Sequence, residues 1–353
     1  MLTPELRKRL ESCNNLPSPP GVATKIIRLA NDPEADMGRI AQVLALDPAI
    51  TAKILRIANS PMYARQRKIE NLRQALLVIG LNATISLALS FSLLKSWQRH
   101  EGSGGLDYPL YWRRALLSAT ASHVLARAIG VKDAEELFLA CLIQDIGLMA
   151  LDRTIPDLYA GLGGDQVHQA SLIERERQRL GVDHATVSGW LLEKWQFPER
   201  TQQVVAASHE PERIPKQSPN GVFARCVALA SMIAEVFLDN TGERAFLELA
   251  ERANSYLAID KEVFGELLAE VGQMIPDAEN IFGTEILSLK DSEAIFDEAR
   301  DALMLRNLRA LQIVDDLKSS TESLEQRTRR LEESSKRDPL TNLYNRTYLD
   351  GFL

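Results

Sequence analysis

The stretch Leu44–Tyr63, LALDPAITAKILRIANSPMY, carries the clearest structural instruction in the chain. Asp47 offers a side-chain oxygen to the free amides of a first helical turn, and Pro48 has its φ already fixed for the first helical position. Ile50, Ile54 and Ile57 then return at steps of four and three, the period of a helix with one buried face. Asn59, Ser60 and Pro61 stop it. The same grammar recurs on both sides. Asp36 opens an earlier helix that turns Ile40, Val43 and Leu44 inward, and Asp260 opens a later one with Val263, Phe264, Leu267, Leu268 and Val271 on one stripe. Strand alternation is almost absent, so the expected fold class is all-α.

Downstream lies Ala75–Leu94, ALLVIGLNATISLALSFSLL, uncharged and about as long as a bilayer requires. Its interior argues against a membrane span. Gly80 reads as a helix stop and Asn82 as an N-cap, while Thr84, Ser86, Ser90 and Ser92 dilute the second half, so the run is expected to be two core helices meeting at a turn. Breaks are expected at Glu101–Pro109, Pro211–Gly221 and Ala278–Thr284, where glycine, proline and small polar residues gather. With 41 basic and 48 acidic residues the net charge is −7, which argues against a protein built to grip a phosphate backbone. Cys13, Cys141 and Cys226 lie far apart, leaving neither a disulfide framework nor a thiolate metal site. The N-terminus lacks an apolar signal core, and a cytoplasmic location is expected.

Three motifs occur in order: Leu16-Pro17-Ser18-Pro19-Pro20, the Leu44–Tyr63 helix, and Ile69–Leu81, IENLRQALLVIGL. Together they resemble the HDOD family, a helical relative of the HD phosphohydrolases, over about Leu16–Pro211. Their residues are packing devices, since prolines fix a turn and the isoleucines and leucines form a core. None supplies a nucleophile or a base.

The resemblance places any chemistry in a second bundle, where HD enzymes hold metal with histidines and aspartates on facing helices. Leu137–Leu151, LFLACLIQDIGLMAL, looks like the helix bearing the His-Asp pair, with Gln144 at the histidine position and Asp145 retained. Arg114, in the upstream helix Tyr111–Ala119, stands where a catalytic domain would offer a histidine. A guanidinium stays protonated and has no lone pair for a cation. Asp183–Trp195 and Ala207–Glu212 resemble downstream ligand segments of the HD-GYP phosphodiesterases; His184 and His209 match ligands, Ser208 replaces one, and the Gly-Tyr-Pro signature is absent. Two-metal hydrolysis needs a full cluster. The expectation is therefore a vestigial site without catalytic residues, metal or cofactor, with a buried Arg114–Asp145 ion pair in the metal's place. The competing expectation is a metal-dependent phosphohydrolase using Asp145, His184 and His209.

From about Asp291 the chain turns charged and free of proline. Ala310, Leu317, Leu324 and Leu331 recur every seven residues, with Val314, Thr321 and Thr328 at the other seam position, the pattern of a parallel two-stranded coiled coil. Arg337–Leu353, RDPLTNLYNRTYLDGFL, resembles the opening of a GGDEF diguanylate cyclase domain through Asp338, Leu340, Thr341, Leu343, Asn345 and Arg346; the nucleotide- and metal-binding parts of such a domain lie beyond it. The expected organisation is an HDOD domain over residues 1–213, a helical extension over 214–290, a coiled-coil signalling helix over 291–336 and the start of a GGDEF domain over 337–353. Such a chain would be a non-catalytic signalling module. It would form a homodimer through its C-terminal helix, meet other signalling proteins, and engage neither nucleic acid nor a membrane.

Overall fold

The computed structural model describes residues 2–13, 16–60, 63, 68–97, 106–160, 169–239, 242–287, 318, 320–321, 323–325, 327–329, 331–339 and 341–351. They belong to two compact units, Met1–Ala299 and Arg300–Leu353.

Every regular element among the described residues of the first unit is helical. Its N-terminal part runs through α1 (Pro4–Ser12), α2 (Gly21–Ala30), α3 (Met37–Leu44), α4 (Pro48–Ala58), α5 (Leu72–Ile79) and α6 (Leu81–Trp97). There follow α7 (Tyr108–Ile129), α8 (Ala134–Ile143), α9 (Ile146–Thr154), α10 (Gln169–Leu180), α11 (His184–Lys194) and α12 (Glu199–Ala206). The last elements among its described residues are α13 (Gly221–Asp239), α14 (Gly242–Leu257) and α15 (Lys261–Phe282).

Side-chain caps start these helices where the sequence places an acidic or amide residue. Asp47 Oδ1 accepts from the amides of Ala49 and Ile50, Asp36 from Arg39, and Asp260 from Val263. Each such cap contributes about 1 kcal/mol. Behind Asp47 the buried face is Ile50, Ile54 and Ile57, as the spacing requires. On α15 the stripe is Phe264, Leu267, Leu268 and Val271, but Val263 is 36% exposed because it sits in the open first turn beside the cap. That helix also continues through Ala278 to Phe282, so the expected break begins only at Gly283, which takes a left-handed φ of 69°.

The 75–94 run divides at Gly80, where φ is 92° and the two helices meet at 113°. The N-cap role does not fall to Asn82, which lies inside the first turn of α6. The first backbone bond of α6 runs from the Thr84 amide to the Gly80 carbonyl at 3.1 Å, and the Thr84 hydroxyl donates to the same oxygen at 2.7 Å. A second apolar run, Gly221–Leu238 in α13, also has the length and composition of a span, and most of it is buried inside the fold.

Helices α2 to α5 pack on α6 and on one another, α1 packs on α9, and α6 leans on α8. The long helix α7 is buried along most of its length against α8, α13 and α15, so residues beyond 213 share the core with those before it. This arrangement carries Arg114 on a central strut and fixes it against the α8–α9 junction.

In the second unit, every described residue from 318 to 335 is helical. Val314 and Leu317 lie outside the described residues. Thr321, Leu324, Thr328 and Leu331 lie within them, with both leucines 61% exposed, and Thr328 returns its hydroxyl to the Leu324 carbonyl. Beyond that helix Asp338 accepts from the amide and hydroxyl of Thr341, and Asn345 caps a short helix, Arg346–Asp350, through the Tyr348 amide. An isolated antiparallel bridge joins Arg337 to Tyr344.

Candidate functional site

The segment Leu137–Leu151 is not one continuous helix. α8 ends at Ile143, Gln144 and Asp145 make the turn, and α9 starts at Ile146. The turn aims Asp145 at α7 and α11. Close packing behind it is fixed by Gly147, where a Cβ would lie 2.1 Å from the His184 carbonyl oxygen and 2.9 Å from Ser188 Oγ. The Gly147 amide donates to that Ser188 hydroxyl at 2.8 Å. Only glycine lets α9 and α11 approach so closely. At the head of α11, Asp183 accepts from the Thr186 amide and is gripped by Arg177 of α10, which also pairs with Glu210 at 2.6 Å. Arg177 thus ties α10 and α11 to the loop bearing Ser208 and His209.

Asp145 is 2% exposed and its Oδ2 lies 2.8 Å from Arg114 Nη2. Oδ1 lies 3.4 Å from His184 Nε2 and accepts from Gln169 Nε2 at 3.4 Å. Gln169 is held in turn by the Ser231 hydroxyl at 3.1 Å. On its other side, Nδ1 of the fully buried His184 faces Glu176 Oε2 at 2.8 Å, and the His184 amide donates to the same oxygen at 2.7 Å. Tyr159 donates its hydroxyl to Glu176 Oε1 at 2.6 Å. His184 Nε2 meets His209 Nε2 at 2.8 Å.

Charge alternates along this chain of groups. Burial disfavours ionised Asp145, but the Arg114 guanidinium, with His184 behind it, overrides that and holds the carboxyl well below its usual range. Burial likewise opposes the His184 imidazolium. The Glu176 carboxylate, followed by Asp145, outweighs it and raises His184 to about 10. Burial and the charge on His184 push His209 down to about 3, so it stays neutral. His184 is therefore the donor and His209 the acceptor where their rings meet. Arg114 balances Asp145, His184 balances Glu176, and the cluster is neutral as it stands.

Asp145, His184 and His209 offer ligand atoms within 4.8 Å of one another, the described residues' best approach to a metal site. The donor set does not fit a dinuclear hydrolytic centre. The ring nitrogens of His184 and His209 face each other at hydrogen-bonding distance, and a permanent cation lies against the other Asp145 oxygen. Gln144 turns away, donating Nε2 to Ser118 Oγ at 2.8 Å. Its Oε1 and the buried Ser208 Oγ have no hydrogen-bond partner among the described residues.

Sequence reading missed Glu176, Tyr159 and Gln169. A signal existed for two of them. Gln169, Leu172 and Glu176 fall at steps of three and four on α10, so both polar residues ride the helix's buried stripe. A carboxylate there needs a partner. Tyr159 carries no such pattern.

No curated protein matches the chain. Among solved structures, an HDOD domain protein of unknown function from Geobacter sulfurreducens superposes with a TM-score of 0.60 at 21% identity, covering 80% of this chain and 97% of its own. A Shewanella amazonensis protein provisionally named a phosphohydrolase gives 0.59 at 20%, covering 79% and 98%. One from Marinobacter aquaeolei, provisionally named a signal transduction protein, gives 0.54 at 20%, covering 79% and 65%. At such identities these likenesses establish the shared fold. The HDOD domain model matches residues 16–211, more than half of the chain, and the chain belongs to the HDOD family.

Proposed function

We propose that this chain is the non-catalytic regulatory part of a cytoplasmic signalling protein, acting on a C-terminal GGDEF output domain through a dimeric helix. The observation that carries the reading is the Arg114–Asp145 pair, 2.8 Å apart inside a cluster whose charges already balance. A guanidinium there does for Asp145 what a metal ion does in an HD hydrolase, with no Lewis acid and no activated water. The exposed Leu324 and Leu331 support the relay, because apolar residues at a seven-residue step on a charged helix suit a partner helix. Parallel pairing would deliver two output domains to the same end, and joining two GTP molecules requires two such domains. A change of register along the seam gives a two-state element.

The test is hydrolysis of bis(p-nitrophenyl) phosphate with added manganese, by the wild-type chain and by Arg114→His/Gln144→His. Both are expected to be inactive, the second because Ser208 still replaces a ligand. Alongside it, the chain joined to an active GGDEF domain should change cyclase output far more when one residue is inserted near Ser319 than when seven are. The second reading, a metal-dependent phosphohydrolase, draws on the 4.8 Å grouping of Asp145, His184 and His209 and on the orienting carboxylate that Glu176 presents to His184. Metal-dependent turnover by the wild type would establish that reading instead.

A further inference from the structure

Away from this site, a cavity of about 330 Å³ lies where the N-terminal helices meet the central ones. Ile57 of α4, Leu87 of α6, Phe138 of α8 and Phe282 of α15 form its apolar wall, each less than a tenth exposed. Cavities of this size and character accept small organic ligands.

Its polar groups are unevenly charged. Glu135, Glu270 and Asp277 are carboxylates, while the described cations lining the cavity amount to Arg127, which is already paired with Glu270. Glu135 accepts a hydrogen bond from the Tyr63 hydroxyl and has no ion-pair partner among the described residues. Burial raises its carboxyl above the ordinary range, the mark of an anion short of compensation. Burial, with Arg127 behind it, lowers His123 to about 4, so that ring adds no positive charge.

The aromatic wall also suits a cation. Phe138 and Phe282 stack with centroids 5.6 Å apart, and the Lys53 ammonium sits 5.6 Å from the Phe282 centroid and 5.0 Å from that of Phe91. Ring faces attract positive charge through their quadrupole. One cation is already held against this set from outside the cavity.

We propose that the cavity is a binding site for an organic cation with an apolar body, its ammonium group paired with Glu135 and its hydrocarbon part against Phe138 and Phe282. The occupant would touch α4, α7, α8 and α15 together, so binding would hold α4 against α15 and stabilise the folded unit. The meaning of such a site as a sensor rests on the regulatory reading above. Its chemistry does not: failure to bind would remove the ligand and leave regulation standing, whereas turnover at the Asp145 cluster would remove the regulatory reading and leave the cavity.

The experiment is calorimetric titration of the full chain with 2-phenylethylammonium, its neutral counterpart 2-phenylethanol, and phenylacetate. The ammonium compound should bind saturably at a single site, with both others on the order of ten-fold weaker, as expected for one hydrogen bond to a charged group. Glu135→Gln keeps the shape and the contact to Tyr63 and should remove that preference. Ala278→Trp, which fills the cavity, should abolish binding of all three, with circular dichroism showing both variants folded. Equal binding of the three compounds, undiminished cation binding by Glu135→Gln or by folded Ala278→Trp, or no saturable binding at millimolar concentration would each overturn the proposal.

Discussion

Replacing Arg114 by methionine keeps most of the side-chain volume and removes the guanidinium that faces Asp145. The carboxylate left behind is 2% exposed and cannot recruit bulk water. Breaking a buried pair by removing one partner costs about 3–5 kcal/mol. Here the lower end is expected, because Asp145 Oδ1 keeps His184 and Gln169 at 3.4 Å. A loss of about 3 kcal/mol should appear in urea unfolding as a lower midpoint with an unchanged slope. The double variant Arg114→Met/Asp145→Leu removes both charges and should recover most of the loss, since an apolar pair of similar volume is often as stable as the ion pair it replaces. The coupling energy in that cycle should then exceed about 2 kcal/mol. A single-variant cost below about 1 kcal/mol, or additive effects in the double variant, would refute the claim that Arg114 compensates Asp145.

Gly147→Ala places a methyl group against the His184 carbonyl and should destabilise the fold by about 1–3 kcal/mol through forced separation of α9 and α11, read by thermal unfolding. His184 has a folded-state value of about 10, above its unfolded value of about 6.5, so its contribution is complete below pH 6.5 and is lost as pH rises towards 10. Tm should therefore fall between pH 7 and pH 10 more steeply in the wild type than in His184→Gln. Leu324→Asp should shift the full chain towards monomer in sedimentation at fixed concentration, while the unfolding midpoint of the first unit stays unchanged.

Much of the fold was legible because capping and apolar spacing are local. Asp36, Asp47 and Asp260 cap the helices they were expected to cap, and the isoleucines of α4 are buried as their spacing demands. The failures were local as well. Asn82 is not a cap because α6 already starts at Leu81, and the turn at Gln144 and Asp145 was invisible because Leu137–Leu151 is apolar on every face and has no periodicity to interrupt. At the site, Arg114, Asp145, His184 and His209 could be found through a family resemblance. Glu176, which sets the charge of His184, belongs to no motif quoted from the chain. It lies eight residues before His184, and the path of the turn between α10 and α11, which no residue period encodes, brings its carboxylate onto the ring.

The most direct test of the account is the metal stoichiometry of the purified full chain, by mass spectrometry after incubation with iron, manganese or nickel and removal of free ion. An arginine-compensated, charge-neutral cluster is expected to retain well under one equivalent, with no change on His209→Ala. One tightly held equivalent that His209→Ala releases would contradict it, and would return Asp145, His184 and His209 to the role of metal ligands.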